Sequence, residues 1–295
     1  MDAIVTSALT RWYGKRRGIE DLDLTVREGE TFGFLGPNGA GKTTTIRLLL
    51  NLIRPTRGTA SVYGHDVVTE SLAVRRLVGF LTGDVALYPQ LSVDGYLRFL
   101  GALSPGFDPR RMRSLAERFD LELGHTIRGL SKGNRQKVAL VAALQHHPVV
   151  LLLDEPTSGL DPLLQHEMHR VLREEHDQDT TVFLSSHDLS EVQTLCDRAA
   201  ILREGRLVEV ADVAALRGVR DRRYRVSFPP GRTPPVPSGA VVEHARDSTV
   251  TYRVSGPVAP FLAAILPYEP LDLHAEEVSL EDVFLRLYGP ERVQS

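Results

Sequence analysis

Short apolar runs separated by stretches of helical periodicity organise this chain. Leu22, Leu24 and Val26 alternate with polar neighbours, the mark of a half-buried strand. After the turn Arg27-Glu28-Gly29-Glu30, the segment Thr31-Phe32-Gly33-Phe34-Leu35 has the length of a buried strand. A glycine-rich loop follows, then a helical stretch with Ile46, Leu49 and Leu50 on one face. From about 92 to 130 the pattern turns helical and polar, with breaks at Pro105, Pro109 and Gly124, which predicts a helical insertion. Strand signals return at 149–153, 181–185 and 199–202, separated by helical periods at 163–175 and 189–195. Strands alternating with helices predict an α/β fold whose mostly parallel sheet is covered on both faces.

The character changes near 217–223. Residues 224–228 and 250–254 alternate as strands around a proline-rich stretch at 229–237. Ser279 can cap a last helix whose Leu280, Val283, Phe284, Leu287 and Tyr288 share one face. The expected organisation is a first domain at 1–217, with its helical subdomain at about 86–140, and a small α/β accessory domain at 218–295.

Composition narrows the class. The 295 residues are 42% hydrophobic and 25% charged, enough to bury a core, and the net charge of −3 argues against a nucleic-acid partner. The single cysteine, Cys196, excludes an internal disulfide and suits a reducing compartment. The first residues lack a signal-peptide pattern, and no window reaches the ~18 consecutive apolar residues of a membrane span. Any membrane role is therefore expected through a partner.

The chemistry concentrates in three places. Gly36-Pro37-Asn38-Gly39-Ala40-Gly41-Lys42-Thr43 fits G-x-x-x-x-G-K-[ST] between a strand and a helix. Glycines let the backbone N–H groups turn inward on phosphate oxygens, and the helix that follows adds its positive end. Such a loop on its own indicates a nucleotide-phosphate site and names no machine. The apolar run at 149–153 ends in Asp154 and Glu155, placing two carboxylates where open α/β sheets bind ligands. Asp154 can orient Mg²⁺ and its waters, and Glu155 can take a proton from an attacking water. Leu130-Ser131-Lys132-Gly133-Asn134 then opens an apolar helical stretch, reading equally as a second anion site or as a plain helix cap.

That third segment resembles the Leu-Ser-Gly-Gly-Gln signature of ATP-binding-cassette (ABC) ATPases, matching at Ser131 and Gly133. Pro156-Thr157-Ser158-Gly159-Leu160-Asp161 resembles the family's D-loop, and Ser185-Ser186-His187-Asp188 its switch histidine. Tyr13 stands where the family places an aromatic ring against adenine. The order of these elements along the chain carries the resemblance, which covers roughly 2–215.

The resemblance implies a P-loop ATPase core, its parallel sheet flanked by an antiparallel β edge, with the helical insertion and accessory domain attached. It implies two cassettes stacked head to tail, as a homodimer or a heterodimer with a related cassette. Each ATP would lie on Gly36, Pro37, Asn38, Gly39, Ala40, Gly41, Lys42, Thr43 and Thr44 of one subunit, beneath Ser131, Lys132, Gly133 and Asn134 of the other. Asp161 would touch the partner cassette. Glu155 would be the catalytic base, with Lys42 and His187 at the γ-phosphate, and Mg²⁺ would meet Thr43 and Asp154. A separate transmembrane permease is implied, holding the chain at the cytoplasmic face of the membrane. The alternative is a soluble ABC ATPase without a permease, whose usual paired cassettes or long coiled coils are not evident here.

Two departures stand out. Lys132 and Asn134 replace the usual Gly and Gln of the signature. Gly83 occupies the place of a metal-binding glutamine, so either the adjacent Asp84 substitutes for it or the metal keeps an extra water. Val278-Ser279-Leu280-Glu281-Asp282-Val283-Phe284 resembles the closing helix of the bacterial ABC-2 group and points to export. His166-Glu167-Met168-His169 lacks metalloprotease spacing and is assigned to a solvated helix face. His146-His147 precedes Pro148 at a helix end, where imidazole suits the dipole.

Overall fold

A computed structural model describes residues 1–83, 86–214, 221–232, 236–246 and 248–276. The chain folds as two compact units, Met1–Val213 and a second beginning at Ala214. The closing helix expected near 279–288 lies outside the described residues.

In the first unit, β1 (Asp2–Tyr13) and β2 (Arg16–Arg27) form a hairpin closed by Gly14-Lys15, with Gly14 at φ 61°. Strand β3 (Thr31–Leu35) is wholly buried and leads through the glycine loop into α1 (Lys42–Leu49). Next come β4 (Arg57–Val62), the short β5 (His65–Asp66), α2 (Ser71–Leu77) and β6 (Val78–Leu81). The helical insertion holds α3 (Val93–Leu103), α4 (Pro109–Arg118) and α5 (Lys132–Leu144). The chain returns as β7 (Val150–Asp154), α6 (Pro162–His176), β8 (Thr181–Ser186), α7 (Leu189–Leu195), β9 (Arg198–Arg203) and β10 (Arg206–Asp212).

Two sheets result. One is antiparallel, in the order β2-β1-β4-β5; the other runs β10-β9-β3-β8-β7-β6, parallel except for β10 at its edge. Leu22, Leu24 and Val26 from the first sheet share one core with Phe32, Phe34, Leu152 and Phe183 from the second and Ile46 and Leu49 of α1. The fully buried parallel strands are near-continuous Val/Leu/Phe runs because they have no solvent face on which to alternate. β3 lies between β8 and β9, so the carboxyl ends of β3, β7 and β8 open onto one edge of the sheet.

Helix starts follow capping chemistry. Ser92, Asp108, Ser131, Asp161 and Asp188 each accept a backbone N–H from the first turn of the helix they begin. Helix α4 is tied to α6 by ion pairs from Arg111 to Glu175 and from Arg118 to Glu167 and Glu174.

Two histidine expectations need correction. His169 is not on a solvated face: its side chain is only 18% exposed and faces Glu191 of α7 at 3.9 Å. His146 does follow the end of α5, but it is buried, and desolvation holds its imidazole below the ordinary value, which works against a charge there serving the dipole. In both cases a neighbouring element that is remote in sequence covers the ring.

The second unit is an antiparallel sheet of β11 (Asp221–Ser227), β12 (Ala240–Arg246), β13 (Thr249–Ser255) and β14 (Asp272–Glu276), ordered β12-β13-β11-β14. Helix α8 (Val258–Ile265) sets Phe261 against Tyr224, with ring centroids 5.0 Å apart, and against Tyr252.

The seat of α5 on β6 depends on Gly79. A β-carbon there would lie 2.2 Å from the Ala143 carbonyl oxygen and within 2.9 Å of Leu151 and Pro148 atoms. Gly79→Ala is therefore expected to destabilise the first unit by about 1–3 kcal/mol. Urea or thermal unfolding checks this, and an unchanged midpoint would mean that α5 does not approach β6 this closely.

Candidate nucleotide site

The glycine loop is built by close approach. A β-carbon at Gly36 would lie 2.5 Å from the Leu202 carbonyl oxygen. Gly41 holds φ 111°, and a β-carbon there would sit 2.7 Å from the Gly18 carbonyl oxygen. Neither position admits a side chain, so β9 and the start of β2 press on the loop and fix its curl. Ala40, buried, donates its N–H to Pro37 O at 3.1 Å and accepts from Gly205 N at 2.9 Å.

Lys42 is 5% exposed, and its ammonium must find acceptors inside the loop. It donates to Gly36 O at 2.7 Å and Pro37 O at 3.3 Å, and meets Glu155 Oε1 at 3.2 Å. The other oxygen of Glu155 lies 3.3 Å from His187 Nδ1. Lys42, Glu155 and His187 thus form one line of contacts across the ends of β3, β7 and β8.

Asp154 is 4% exposed and has both oxygens engaged. Oδ2 accepts from Thr43 Oγ1 at 2.7 Å, and Oδ1 accepts from Ser185 Oγ at 2.6 Å. Glu155 takes a left-handed backbone, φ 48°, which costs a non-glycine residue roughly 1–2 kcal/mol. Its N–H is held by both the carbonyl and the hydroxyl oxygen of Ser185, at 3.1 and 3.2 Å. Ser185 therefore fixes Asp154 and Glu155 together. Sequence reasoning gave it no role, although a hydroxyl ending a buried strand is the available signal.

A cleft of about 490 Å³ runs from Tyr13 to the loop, lined by Arg16, Arg17, Gly18, Asn38, Gly39, Gly41, Lys42, Thr43, Thr44, Arg47 and Glu155. Arg16, Arg17, Gly18 and Arg47 were not anticipated. Arg16 pairs with Tyr13 across the hairpin, and Arg47 follows Thr43 by one helical turn. Beside it, a smaller cavity of about 260 Å³ is lined by Thr43, Arg47, Thr82, Gly83, Asp154, Glu155 and Ser158. A β-carbon at Gly83 would lie 3.2 Å from Asp154 O, so Gly83 does border Asp154. Asp84 lies outside the described residues.

The signature residues stand elsewhere. Ser131, Lys132, Gly133 and Asn134 are absent from the linings of both cavities. Ser131 Oγ accepts from Asn134 N at 3.2 Å, and the Lys132 side chain lies beside Gly159, within 4 Å of where a β-carbon would be. Asp161 caps α6, accepting from Leu163 N and Leu164 N at 3.1 Å, and is likewise outside both cavities. Among the described residues no cluster of three His, Cys, Asp or Glu side chains is placed to cage a metal. No described helix is long and apolar enough to cross a membrane.

This architecture, with a phosphate loop, a strand-end acid pair and a helical insertion, defines a P-loop ATPase. Residues 19–158 match the family model described as ABC transporter. The chain is 35% identical to a daunorubicin resistance ATP-binding protein of Streptomyces coeruleorubidus, over 98% of this chain and 97% of that one. It is 35% identical to a bacitracin transport ATP-binding protein of Bacillus licheniformis (75% and 73% of the two chains). It is 33% identical to a Nod factor export ATP-binding protein of Cupriavidus metallidurans (95% of each). Among solved structures, an ATP-binding subunit of an ABC transporter superposes with a TM-score of 0.68 at 29% identity, over 73% of this chain and 92% of that one. A dimeric bacterial ABC transporter cassette matches in fold with a TM-score of 0.66 at 24% identity, over 71% and 98%. The chain belongs to the ABC transporter family, as one of its nucleotide-binding ATPase subunits.

Ser185→Ala removes a donor from buried Asp154 and one of the acceptors for Glu155 N–H. ATP turnover at saturating nucleotide is expected to fall about tenfold, since small displacements of reacting groups are costly. Stability should drop by about 1–3 kcal/mol. Steady-state ATPase assay and thermal melting check this, and an unaltered kcat would separate Ser185 from the chemistry.

Proposed function

We propose that the chain is the motor of an exporter, binding Mg²⁺-ATP between two cassettes and hydrolysing it to drive a separate membrane permease. The observation that carries the hydrolytic part is the contact line from Lys42 through Glu155 to His187 at the ends of adjacent strands. Export is supported by relatives named for daunorubicin resistance, bacitracin transport and Nod factor export, and by the likeness of residues 278–284 to the closing helix of the ABC-2 group.

The residues fit the chemistry. N–H groups of 38–44 and the Lys42 ammonium meet the phosphates, and Tyr13 stacks on the base at the far end of the same cleft. Thr43 and Asp154 offer the hard oxygen atoms that Mg²⁺ prefers, and it needs no all-protein cage because it shares phosphate and water ligands. When bound, the ion neutralises charge on the phosphates. Asp84, next to Gly83, is the candidate for a further metal contact. Glu155 accepts the proton of a water whose oxygen forms the new bond to the γ-phosphorus, while the bond to the β–γ bridging oxygen breaks and ADP leaves. His187 orients that carboxylate.

The rest of the site comes from a second cassette. Ser131, Lys132, Gly133 and Asn134 open a helix outside the cleft of their own chain, so they are available to the triphosphate of a partner. Asp161, exposed at the start of α6, belongs to that contact. A homodimer is the simplest assembly, with the permease holding both copies at the inner membrane surface.

Glu155→Gln is expected to keep ATP binding and lower turnover by roughly 10²–10⁴-fold. The same variant with ATP should run as a dimer in size-exclusion chromatography, whereas the nucleotide-free chain should not. Turnover near the wild-type rate would remove Glu155 from its role. A monomer at saturating ATP would remove the two-cassette site.

A further inference from the structure

Arg11 lies beside the cleft and has no part in the function proposed above. Arg11 stands two residues before Tyr13 on β1, and its guanidinium carbon lies 4.9 Å from the centroid of the Tyr13 ring. Nη1 of Arg11 donates to Arg54 O at 2.8 Å, which anchors the cation to the loop after α1. Nε is buried and meets no hydrogen-bond acceptor among the described residues, as expected of a guanidinium turned onto a ring face. A second constraint comes from Gly18, where a β-carbon would fall 2.9 Å from Tyr13 Cε2. The ring thus abuts Gly18 at Cε2, is backed by a cation that is itself tethered, and remains 41% exposed along the cleft.

We infer that Arg11 is a positioning residue for the nucleotide base: it holds Tyr13 so that a purine stacks on the ring surface open to the cleft. This rests on the assignment of Tyr13 to the base and adds the group that orients it. A long side chain at a hairpin end loses rotamer freedom when it binds a ligand, and preorganising it moves that loss from binding to folding. The cation occupies one π-face of the ring, so the base meets the other. Because a ring surface recognises any purine, the effect of Arg11 extends equally to adenine and guanine nucleotides. It does not extend to the phosphates, which are held at residues 38–44 at the other end of the cleft.

The test is equilibrium binding of ATP, GTP and inorganic tripolyphosphate, each with Mg²⁺, to the full chain by titration calorimetry. Tyr13→Ala is expected to weaken both nucleotides about 10- to 100-fold and leave tripolyphosphate unchanged. Arg11→Ala should weaken both nucleotides by roughly two- to fivefold, again sparing tripolyphosphate. Arg11→Lys should recover part of the loss, and the double variant should bind no more weakly than Tyr13→Ala. Equal weakening of nucleotide and tripolyphosphate by Arg11→Ala would show that Arg11 braces the loop at Arg54 instead, overturning the inference, as would losses that add in the double variant. An Arg11→Ala chain that binds ATP as wild type does, beside a weakened Tyr13→Ala, overturns the role of Arg11 alone. ATP affinity unaffected by Tyr13→Ala overturns the base assignment and this inference with it.

Discussion

The buried ammonium of Lys42 is the constraint around which the first unit is arranged. A lysine 5% exposed is tolerable only if its three donors are met, and they are met by two loop carbonyls and one carboxylate. The carbonyls come from the loop itself, which requires the tight curl that Gly36 and Gly41 allow. The carboxylate comes from β7, more than a hundred residues later, so the strand order must bring β7 within reach of the end of β3. It does so through β8, which pairs with both and contributes Ser185 to orient Asp154 and the Glu155 backbone.

The same arrangement suits the ligand proposed for the site. Glu155 meets Lys42 at 3.2 Å, so the buried cation has a counter-charge within the chain. On the function proposed above, a triphosphate would compete for that ammonium and, in taking it, would leave the carboxylate for water and His187. Charge would then be exchanged between partners inside a shielded cleft rather than created there, which avoids the penalty of several kcal/mol for an unpaired buried ion. The left-handed backbone of Glu155 belongs to the same economy: strain at one residue aims its side chain along the sheet edge, and Ser185 holds it there.

Much of this was legible because the information is local. The glycine loop, the apolar run ending in Asp154-Glu155 and the helix opening at Ser131 each fit within about ten residues. Strand β1 was not legible. Its register with β2 shifts at several points between Asp2 and Trp12, and bulges of this kind destroy the period-two alternation that would reveal a strand. Ser185 was read as the end of a strand and a neighbour of His187, since its role at the site comes from an acid on a different strand. His169 looked solvent-facing from helical spacing, but Glu191 on α7 covers it. Arg16, Arg47 and Arg11 acquire meaning only once the hairpin and α1 converge on the cleft. Periodicity reports which face is buried, whereas it cannot report which remote group does the burying.

Ser131 shows why a cap and an anion site need not be rival readings. As a cap, its Oγ accepts from Asn134 N, which occupies one lone pair and leaves the hydroxyl proton to give. A phosphate oxygen from another molecule is the kind of acceptor that proton and the unpaired N–H groups of the first helical turn can serve together. The cap also fixes the hydroxyl on the helix axis, at the positive end of the dipole, so that the geometry that stabilises α5 is the geometry that would receive an anion. Lys132, lying along Gly159, adds a cation next to that helix start without blocking it. None of these groups lines the cleft of its own chain, and on the function proposed above their chemistry would be completed by a triphosphate that another cassette holds.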